Sequence, residues 1–168
     1  KKSNLRLLLL EDLAPGPTQE SRAIAGGFLL QAPDHHADDP ATWQRVTQLH
    51  PSDQDLAELL FAWRVVKHVK SNAIVVTNQH QTLGIGAGQM NRVGSVNIAL
   101  GQAGDHCQGA VLASDGFFPF EDSVRAAAVA GVRAIVQPGG SRRDQESIQA
   151  ADQLGLIMVL TGVRHFLH

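Results

Sequence analysis

Three segments of the sequence combine small, aromatic and charged residues in patterns that could bind a ligand. The first is residues 84–89, GIGAGQ, which lead into a predicted helix that carries Arg92. Glycines let the backbone approach a ligand closely, and the first N–H groups of a helix can bind an anion. The glycine spacing does not match the dinucleotide fingerprint, and no Lys follows as in a Walker loop. A tight turn and an anion site both stay open.

The second segment is residues 114–122, SDGFFPFED, which holds three of the six Phe residues beside three carboxylates. Aromatic rings next to carboxylates suit a flat, nitrogen-rich heterocycle, which can stack on a ring and be hydrogen-bonded at its edge. The alternative is that the rings fill a core while Asp122 caps the following helix. The residues alone favour neither interpretation.

The remaining candidates are weaker. Residues 137–143, QPGGSRR, could bind a phosphate or carboxylate, although a capping Ser141 and two solvated Arg side chains explain them better. His165 and His168 could share a metal only in a helical tail, and no third ligand is evident. Nothing in the sequence indicates the lowered pKa that a reactive Cys107 would need.

These segments lie between elements of an alternating pattern. Ser52 and Asp55 predict the start of a helix with an apolar stripe, and residues 73–85 predict a hairpin. Helices are then predicted over residues 91–103, 122–130 and 144–154, and short apolar strands over 110–113, 134–136 and 156–160. Such strands are typical of a sheet that is buried on both faces. We therefore predict an α/β fold with three α/β/α layers around a mixed sheet.

The first 50 residues are less regular. Residues 4–10 and 21–31 predict extended segments, residues 32–40 a polar loop, and residues 42–50 a weakly supported strand. We expect residues 1–50 to form an N-terminal linking region and residues 51–168 to form one compact unit.

Composition limits the classes of function. Of the 168 residues, 43% are hydrophobic and 18% are charged, which is enough apolar material for a buried core. The net charge of -2 gives no basic surface of the kind that binds nucleic acid or a membrane surface, so we expect neither partner. A single Cys, with no apolar run long enough for a bilayer, favours a cytoplasmic protein.

Five motifs together resemble one family, the bifunctional purine-biosynthesis enzymes that join AICAR transformylase to IMP cyclohydrolase. They are VKSNAIV (69–75), LGIGAGQMNRV (83–93), ASDGFFPFED (113–122), QPGGS (137–141) and RHFLH (164–168). The resemblance runs from Leu5 to His168 and implies the second, cytidine-deaminase-like lobe of the transformylase. It also implies that the chain is a fragment, to which the missing starting Met adds support.

The implied reaction transfers a formyl group from 10-formyltetrahydrofolate to the 5-amino group of AICAR. The family's proton-transferring Lys-His pair lies in the first lobe, so this chain alone is expected to be inactive. The implied parent is a homodimer. The alternatives from other classes are a non-catalytic nucleotide-binding or scaffold domain that uses residues 84–89, and a dinucleotide oxidoreductase, which the glycine spacing disfavours.

The resemblance also implies roles for single residues. Asn72 and His168 would be catalytic, and Ser71 and Asp115 would lie near a potassium site. The residues expected to bind substrate are Gly86, Gly88, Gln89, Arg92, Phe117, Asp122, Arg164 and Phe166. The chain departs from the family at three positions: Glu121 replaces a usual Arg and is expected to face solvent, Gly116 replaces Ala, and Leu167 replaces Arg.

Overall fold

The computed structural model describes residues 4, 6, 8, 9, 16 and 18–168 and divides into two compact units, Lys1–His36 and Ala37–His168. In the first unit, β1 (Glu20–Ile24) and β2 (Gly27–Gln31) form an antiparallel hairpin. Gly26 lies in its turn with a φ of 81°, a conformation that glycine adopts at little cost. The hairpin confirms the extended segment predicted over residues 21–31, whereas the segment predicted over 4–10 lies largely outside the described residues.

The second unit is built on a six-stranded mixed sheet. Its strands, in spatial order, are β3 (Gln44–Arg45), β8 (Ile157–Leu160), β7 (Ala134–Gln137), β6 (Val111–Ser114), β4 (Ile74–Asn78) and β5 (Gln81–Gly86). The strands β6, β7 and β8 are parallel, while β4 runs antiparallel to both β6 and β5. The predicted hairpin and the predicted mixed sheet are therefore confirmed.

Four helices cover the two faces of this sheet. They are α1 (Asp53–Val66), α2 (Arg92–Ala103), α3 (Asp122–Val129) and α4 (Asp144–Gln153). Successive strand residues point to opposite faces, so Val75 and Val136 pack with α1, whereas Ile74, Leu112 and Ile135 pack with the other three helices. One helix on one face and three on the other give the predicted three α/β/α layers.

The helix ends follow from local sequence. The Ser52 side chain accepts a hydrogen bond from the Asp55 N–H, and the Asp55 side chain accepts one from the Ser52 N–H. This is the predicted capping box, which satisfies two backbone donors at the start of α1. Gly131 and Gly155 follow α3 and α4 with positive φ values, as expected of residues that end helices.

The segment around residue 45 differs from expectation. Of the strand predicted over residues 42–50, only Gln44–Arg45 pairs with β8. Beyond it, the Thr47 hydroxyl accepts a hydrogen bond from the Met158 N–H and donates one to the Leu49 carbonyl. This side-chain bonding replaces the strand ladder, because a Thr hydroxyl can compete for backbone groups. Among the described residues, no helix has the length and apolar character that crossing a membrane requires.

Candidate functional site

The sheet topology brings segments that are distant in sequence together at one end of the strands. Here, an edge of the sheet means the line along which the strand ends lie, and not an outer strand. The strands β5, β6, β7 and β8 all end at this edge, and β4 begins there because it runs antiparallel to its neighbours. Ile74 pairs with Ser114 on one side and with Gly86 on the other. Asn72, just before β4, is therefore placed beside Asp115, just after β6. Ligands of open α/β sheets bind just outside the carboxyl ends of the strands, which lie at this edge.

Asp115 is the centre of the hydrogen bonding at this edge. Its fully buried carboxylate accepts a hydrogen bond from the Ala73 N–H at 3.1 Å, from Arg92 Nη1 at 2.5 Å and from the Ser71 hydroxyl. Arg92 is itself buried, and its Nη1 also donates to Ser114 Oγ. A buried charge is stable only when it is paired and hydrogen-bonded. This network therefore joins the start of β4, the end of β6 and the start of α2.

The same guanidinium orients Asn72. Arg92 Nη2 donates to Asn72 Oδ1 at 2.8 Å, and Asn72 Nδ2 donates to the Gln89 carbonyl at 2.8 Å. These two contacts fix which end of the amide carries the donors. An amide has two N–H groups and two acceptor lone pairs, so Asn72 can also bond a ligand while it is held in this way.

A cleft of about 320 Å³ opens at Asn72. Its wall is made by residues Asn72, Met90, Asn91, Arg92, Phe117, Pro119 and Phe166. An amide, a guanidinium and two aromatic rings thus face one space. This set can bind a flat heterocycle by stacking and by hydrogen bonds at its edge. The structure places Asn72, Arg92, Phe117 and Phe166 together, as the sequence analysis expected.

The last eight residues cross this edge of the sheet. The His165 N–H donates to the Asp115 carbonyl at 3.2 Å, and the Ser71 N–H donates to the Leu167 carbonyl at 2.8 Å. Phe166 lies between these anchors. The Arg164 guanidinium is 5.6 Å from the centre of the Phe166 ring, and the His168 ring is 5.7 Å from it. Arg164 and His168 are exposed at the rim of the cleft.

The bare backbone of Gly116 allows this arrangement. A Cβ atom at Gly116 would lie 2.5 Å from Arg92 Nη2 and 2.9 Å from the Phe166 ring. Both distances are shorter than van der Waals contact, and Arg92 is held by several hydrogen bonds. Glycine at this position thus lets the arginine and the phenylalanine approach the backbone.

Two glycines of the first segment have a packing role. A Cβ atom at Gly84 would lie 1.9 Å from the Ala99 carbonyl oxygen, and one at Gly86 would lie 1.9 Å from the Ser95 carbonyl oxygen. The backbone of α2 therefore rests directly on β5, which only glycine permits. Gly86 is buried in that interface, so packing against α2 explains this glycine, and a ligand contact there stays a prediction. Gly88 and Gln89 are exposed in the following loop, where the Gly88 N–H donates to the Lys70 carbonyl.

The aromatic segment divides its three rings among three environments. Phe118 is fully buried in the core, Phe117 lines the cleft, and Phe120 lies outside with the Arg143 guanidinium 4.8 Å from its ring. The core interpretation thus holds for Phe118, whereas binding of a heterocycle at Phe117 stays a prediction. The sequence could not separate the two interpretations, because the rings lie within four positions.

The acidic residues after these rings are not part of the cleft lining. Asp122 is exposed at the start of α3, and its carboxylate accepts a hydrogen bond from the Ser123 N–H. Glu121 forms an ion pair with Arg125, 3.0 Å away, and is partly exposed, as expected for a solvent-facing residue. Neither carboxylate lines the cleft.

The third segment satisfies its own donors. The N–H groups of Gly140 and Ser141 both donate to the Asp144 carboxylate. Arg143 pairs with Glu146 and thereby lowers the pKa of that carboxyl. These contacts leave little capacity for an anion. They favour the structural interpretation of residues 137–143, in which the segment caps the following helix. Asp144 caps the turn together with the expected Ser141, whose hydroxyl accepts a hydrogen bond from the Arg143 N–H at 3.1 Å.

The expected potassium ligands do not fit a cation. Ser71 donates its hydroxyl hydrogen to Asp115, and the Arg92 charge already neutralises the Asp115 carboxylate. A cation at this pair would have to lie next to a buried guanidinium, which like charges disfavour. No cluster of three His, Cys, Asp or Glu side chains that could hold a metal occurs among the residues the structure describes.

Sequence reasoning missed a buried group behind the cleft. The His165 ring is buried, and its Nε2 lies 3.2 Å from Asp38 Oδ1, which also accepts from Trp63 Nε1 at 2.8 Å. The tail is not helical, so His165 faces inward while His168 is exposed, and the two do not form a metal pair. The only signal in the sequence was a His within a terminal motif, which did not identify its partners.

Comparison with known proteins gives the family. A family model described as AICARFT/IMPCHase bienzyme matches residues 1–102. The bifunctional purine biosynthesis protein PurH of Synechocystis is 67% identical over the whole chain, which covers 33% of that protein. The PurH of Acaryochloris marina is 69% identical over 99% of the chain and 32% of its own length. The chain thus spans about a third of the length of these relatives.

Comparison with solved structures adds little. A Thermotoga maritima diaminohydroxyphosphoribosylaminopyrimidine deaminase/5-amino-6-(5-phosphoribosylamino)uracil reductase aligns with 64% of this chain and 34% of its own. Its TM-score of 0.44 and 15% identity are too low to support an argument, so the cytidine-deaminase-like character of the lobe stays a prediction. Because the family model matches more than half of the chain, the chain belongs to the AICARFT/IMPCHase bienzyme family.

Proposed function

We propose that this chain is the C-terminal lobe of an AICAR transformylase, which transfers the formyl group of 10-formyltetrahydrofolate to the 5-amino group of AICAR in purine biosynthesis. Membership of the bienzyme family and the similarity to bifunctional purine biosynthesis proteins support this role. The observation that carries it is the cleft, where the Asn72 amide, held by Arg92 and Gln89, faces two aromatic rings.

The chemistry explains what such a cleft must do. The acceptor amine is a poor nucleophile, because its lone pair is delocalised into the imidazole and the carboxamide. A catalyst must hold the amine against the formyl carbon, stabilise the oxyanion and move a proton. Asn72 is suited to the first two tasks, since a fixed neutral amide can orient the carboxamide or donate to the oxyanion.

The two rings and the cations have complementary roles in the proposal. Phe117 and Phe166 would stack against the flat rings of the substrates. Arg92 acts chiefly by orienting Asn72, because Asp115 already balances its charge. Arg164, exposed beside Phe166, is better placed to meet an anionic group. His168 would contribute near the proton path, and Asp122 would reach the folate from outside the cleft lining.

The proposal leaves the proton transfer to residues outside this chain. The resemblance puts the Lys-His pair in the first lobe. This chain has an adjacent Lys67 and His68, but they precede the motif that contains Ser71 and Asn72 and are not assigned that role. The proposal also includes no potassium at Ser71 and Asp115, because their contacts with each other and with Arg92 do not fit a cation.

A cytoplasmic homodimer is proposed for the parent enzyme. The hairpin supports association with further protein, because Phe28 is 72% exposed and Leu30 64% exposed. Large exposed apolar side chains of this kind mark interaction surfaces. A non-catalytic scaffold that uses residues 84–89 is less well supported, since Gly84 and Gly86 are occupied by the contact with α2.

A chimera tests the proposal. These 168 residues would replace the matching third of the 67%-identical Synechocystis relative, and formation of formyl-AICAR would be measured. We expect the chimera to turn over and the isolated chain to be inactive. Asn72→Ala should lower kcat/KM by about a hundredfold, as expected when one donor to an oxyanion is lost. A folded but inactive chimera, or one unaffected by Asn72→Ala, would contradict the proposal.

A further inference from the structure

The C-terminal segment reaches the cleft with alternating burial. Arg164 and Phe166 are exposed at the cleft side, whereas His165 between them is 1% exposed. A segment of this kind points its successive side chains in opposite directions. The orientation of Phe166 in the cleft wall is therefore linked to how firmly the His165 side chain is held on the other side.

His165 is held by a buried cluster drawn from three parts of the second unit. The Asp38 side chain is 4% exposed and comes from the loop before β3, and Trp63 comes from α1. Asp38 Oδ1 lies 2.8 Å from Trp63 Nε1 and 3.2 Å from His165 Nε2. The rings of Trp63 and His165 also pack, with centroids 4.9 Å apart.

A buried carboxylate makes the cluster sensitive to the loss of any partner. An unpaired buried carboxylate loses its hydration, and hydrogen bonds to Trp63 and His165 offset that loss. Alanine at position 165 would leave Asp38 with one partner fewer in a buried site. The segment would then lose this anchor and keep the backbone contacts in which His165 donates to Asp115 and Leu167 accepts from Ser71.

We propose that Asp38 and His165 are positioning residues, which fix the C-terminal segment and thereby set Phe166 in the wall of the cleft. Neither residue is part of the cleft lining. They act on Phe166 through the backbone of the segment. The inference goes beyond the proposed function, because it holds for any ligand that binds in this cleft.

The hydrogen-exchange rate of the Ser71 amide tests this positioning role directly. The Ser71 N–H is bonded to the Leu167 carbonyl, so its protection reports whether the segment is docked. In the 168-residue chain, His165→Ala should raise the exchange rate of Ser71 by about tenfold or more, while the amides of β4 and β6 stay protected. Asp38→Asn should raise it less, because an amide oxygen can still accept from Trp63.

A conservative variant separates positioning from general stability. His165→Gln places an N–H donor near Asp38 and should restore most of the Ser71 protection, whereas His165→Ala should not. Trp63 fluorescence should shift in His165→Ala, since its ring packs on His165. His106→Ala, an exposed His at the other edge of the sheet, is the matched control and should change neither signal.

Two results would overturn the inference. One is an unchanged Ser71 exchange rate in both His165→Ala and Asp38→Asn. The other is a loss of protection that spreads equally over β4, β6 and Ser71 in both variants, which would make the cluster a general part of the core. Neither result depends on substrate, so failure here is distinguishable from failure of the transformylase proposal.

Discussion

The two edges of the six-stranded sheet carry clefts of nearly equal volume but different chemistry. One cleft, of about 320 Å³, is lined by Asn72, Arg92 and two phenylalanines. The other, of about 310 Å³, lies at the hairpin turn and is lined by residues Asn78, Gln79, Gln81, Leu83, Asp105, His106 and Gln108. Volume does not distinguish them. The first cleft joins a fixed amide and a guanidinium to aromatic rings, while the second has no aromatic carbocycle in its lining.

Each edge contains a buried carboxylate that accepts several hydrogen bonds, and the donors differ between the two edges. Asp115 binds Arg92, Ser71 and the Ala73 N–H, so its network continues into the cleft. Glu58, 4% exposed on α1, binds the Thr77 hydroxyl at 2.6 Å and the His80 N–H at 2.9 Å. It closes the hairpin turn, where Gln79 and His80 have positive φ values. The comparison shows how similar buried acids can support a candidate binding site at one edge and a turn at the other.

The largest expected effect is at Asp115. Asp115→Ala should lower the free energy of unfolding by about 3–5 kcal/mol, because it leaves the buried Arg92 charge without its partner. The measurement is urea unfolding of the 168-residue chain. Asp115→Asn keeps the size of the side chain and should still lose much of that stability. Asp105→Asn, an exposed acid at the other edge, should stay within about 0.5 kcal/mol of the parent, and an equal loss in the two Asn variants would contradict the difference between the edges.

A smaller effect is expected at Glu58. Glu58→Gln keeps an oxygen that can accept from one of the two donors, so unfolding should become easier by about 1–3 kcal/mol. The exchange rate of the His80 N–H should rise, because the one remaining oxygen at position 58 must serve both this N–H and the Thr77 hydroxyl. The Ser71 N–H at the other edge should keep its protection. Deprotection of both amides to the same extent would mean that the two edges are not independent.

The smallest expected effect concerns Cys107, which follows two residues that line the second cleft. Burial raises the pKa of the Cys107 thiol, so the thiol stays neutral in the folded chain. Its contribution to stability is fully present below the pKa of the unfolded thiol, about 8.5, and is lost as pH rises through the higher folded value. At pH 8, a thiol reagent should react at least about tenfold more slowly with the folded chain than with the unfolded chain. Equal rates would show an accessible thiolate at this edge.

The sequence predicted the elements better than their contacts. Capping residues, apolar periodicity and glycines after helices are local signals, and the helices and the hairpin followed from them. The pairing of Asp115 with Arg92 was not predictable, because the two residues are 23 positions apart and meet only through the strand order. The packing role of Gly86 was not predictable for a similar reason, since a glycine that accommodates a helix and one that accommodates a ligand look alike in sequence. Asp38 and His165 are 127 positions apart, and no local pattern links them.

The central claim is that the cleft at Asn72 is the ligand site. The most direct test compares how a substitution in each of the two clefts changes ligand binding. Calorimetry would follow AICAR and a folate analogue binding to the Synechocystis chimera, to its Asn72→Ala variant and to its Gln81→Ala variant. We predict that Asn72→Ala weakens at least one ligand by about tenfold or more, equivalent to about 1.4 kcal/mol, and that Gln81→Ala in the second cleft changes neither affinity. Unchanged affinities in Asn72→Ala, or a loss confined to Gln81→Ala, would contradict the account.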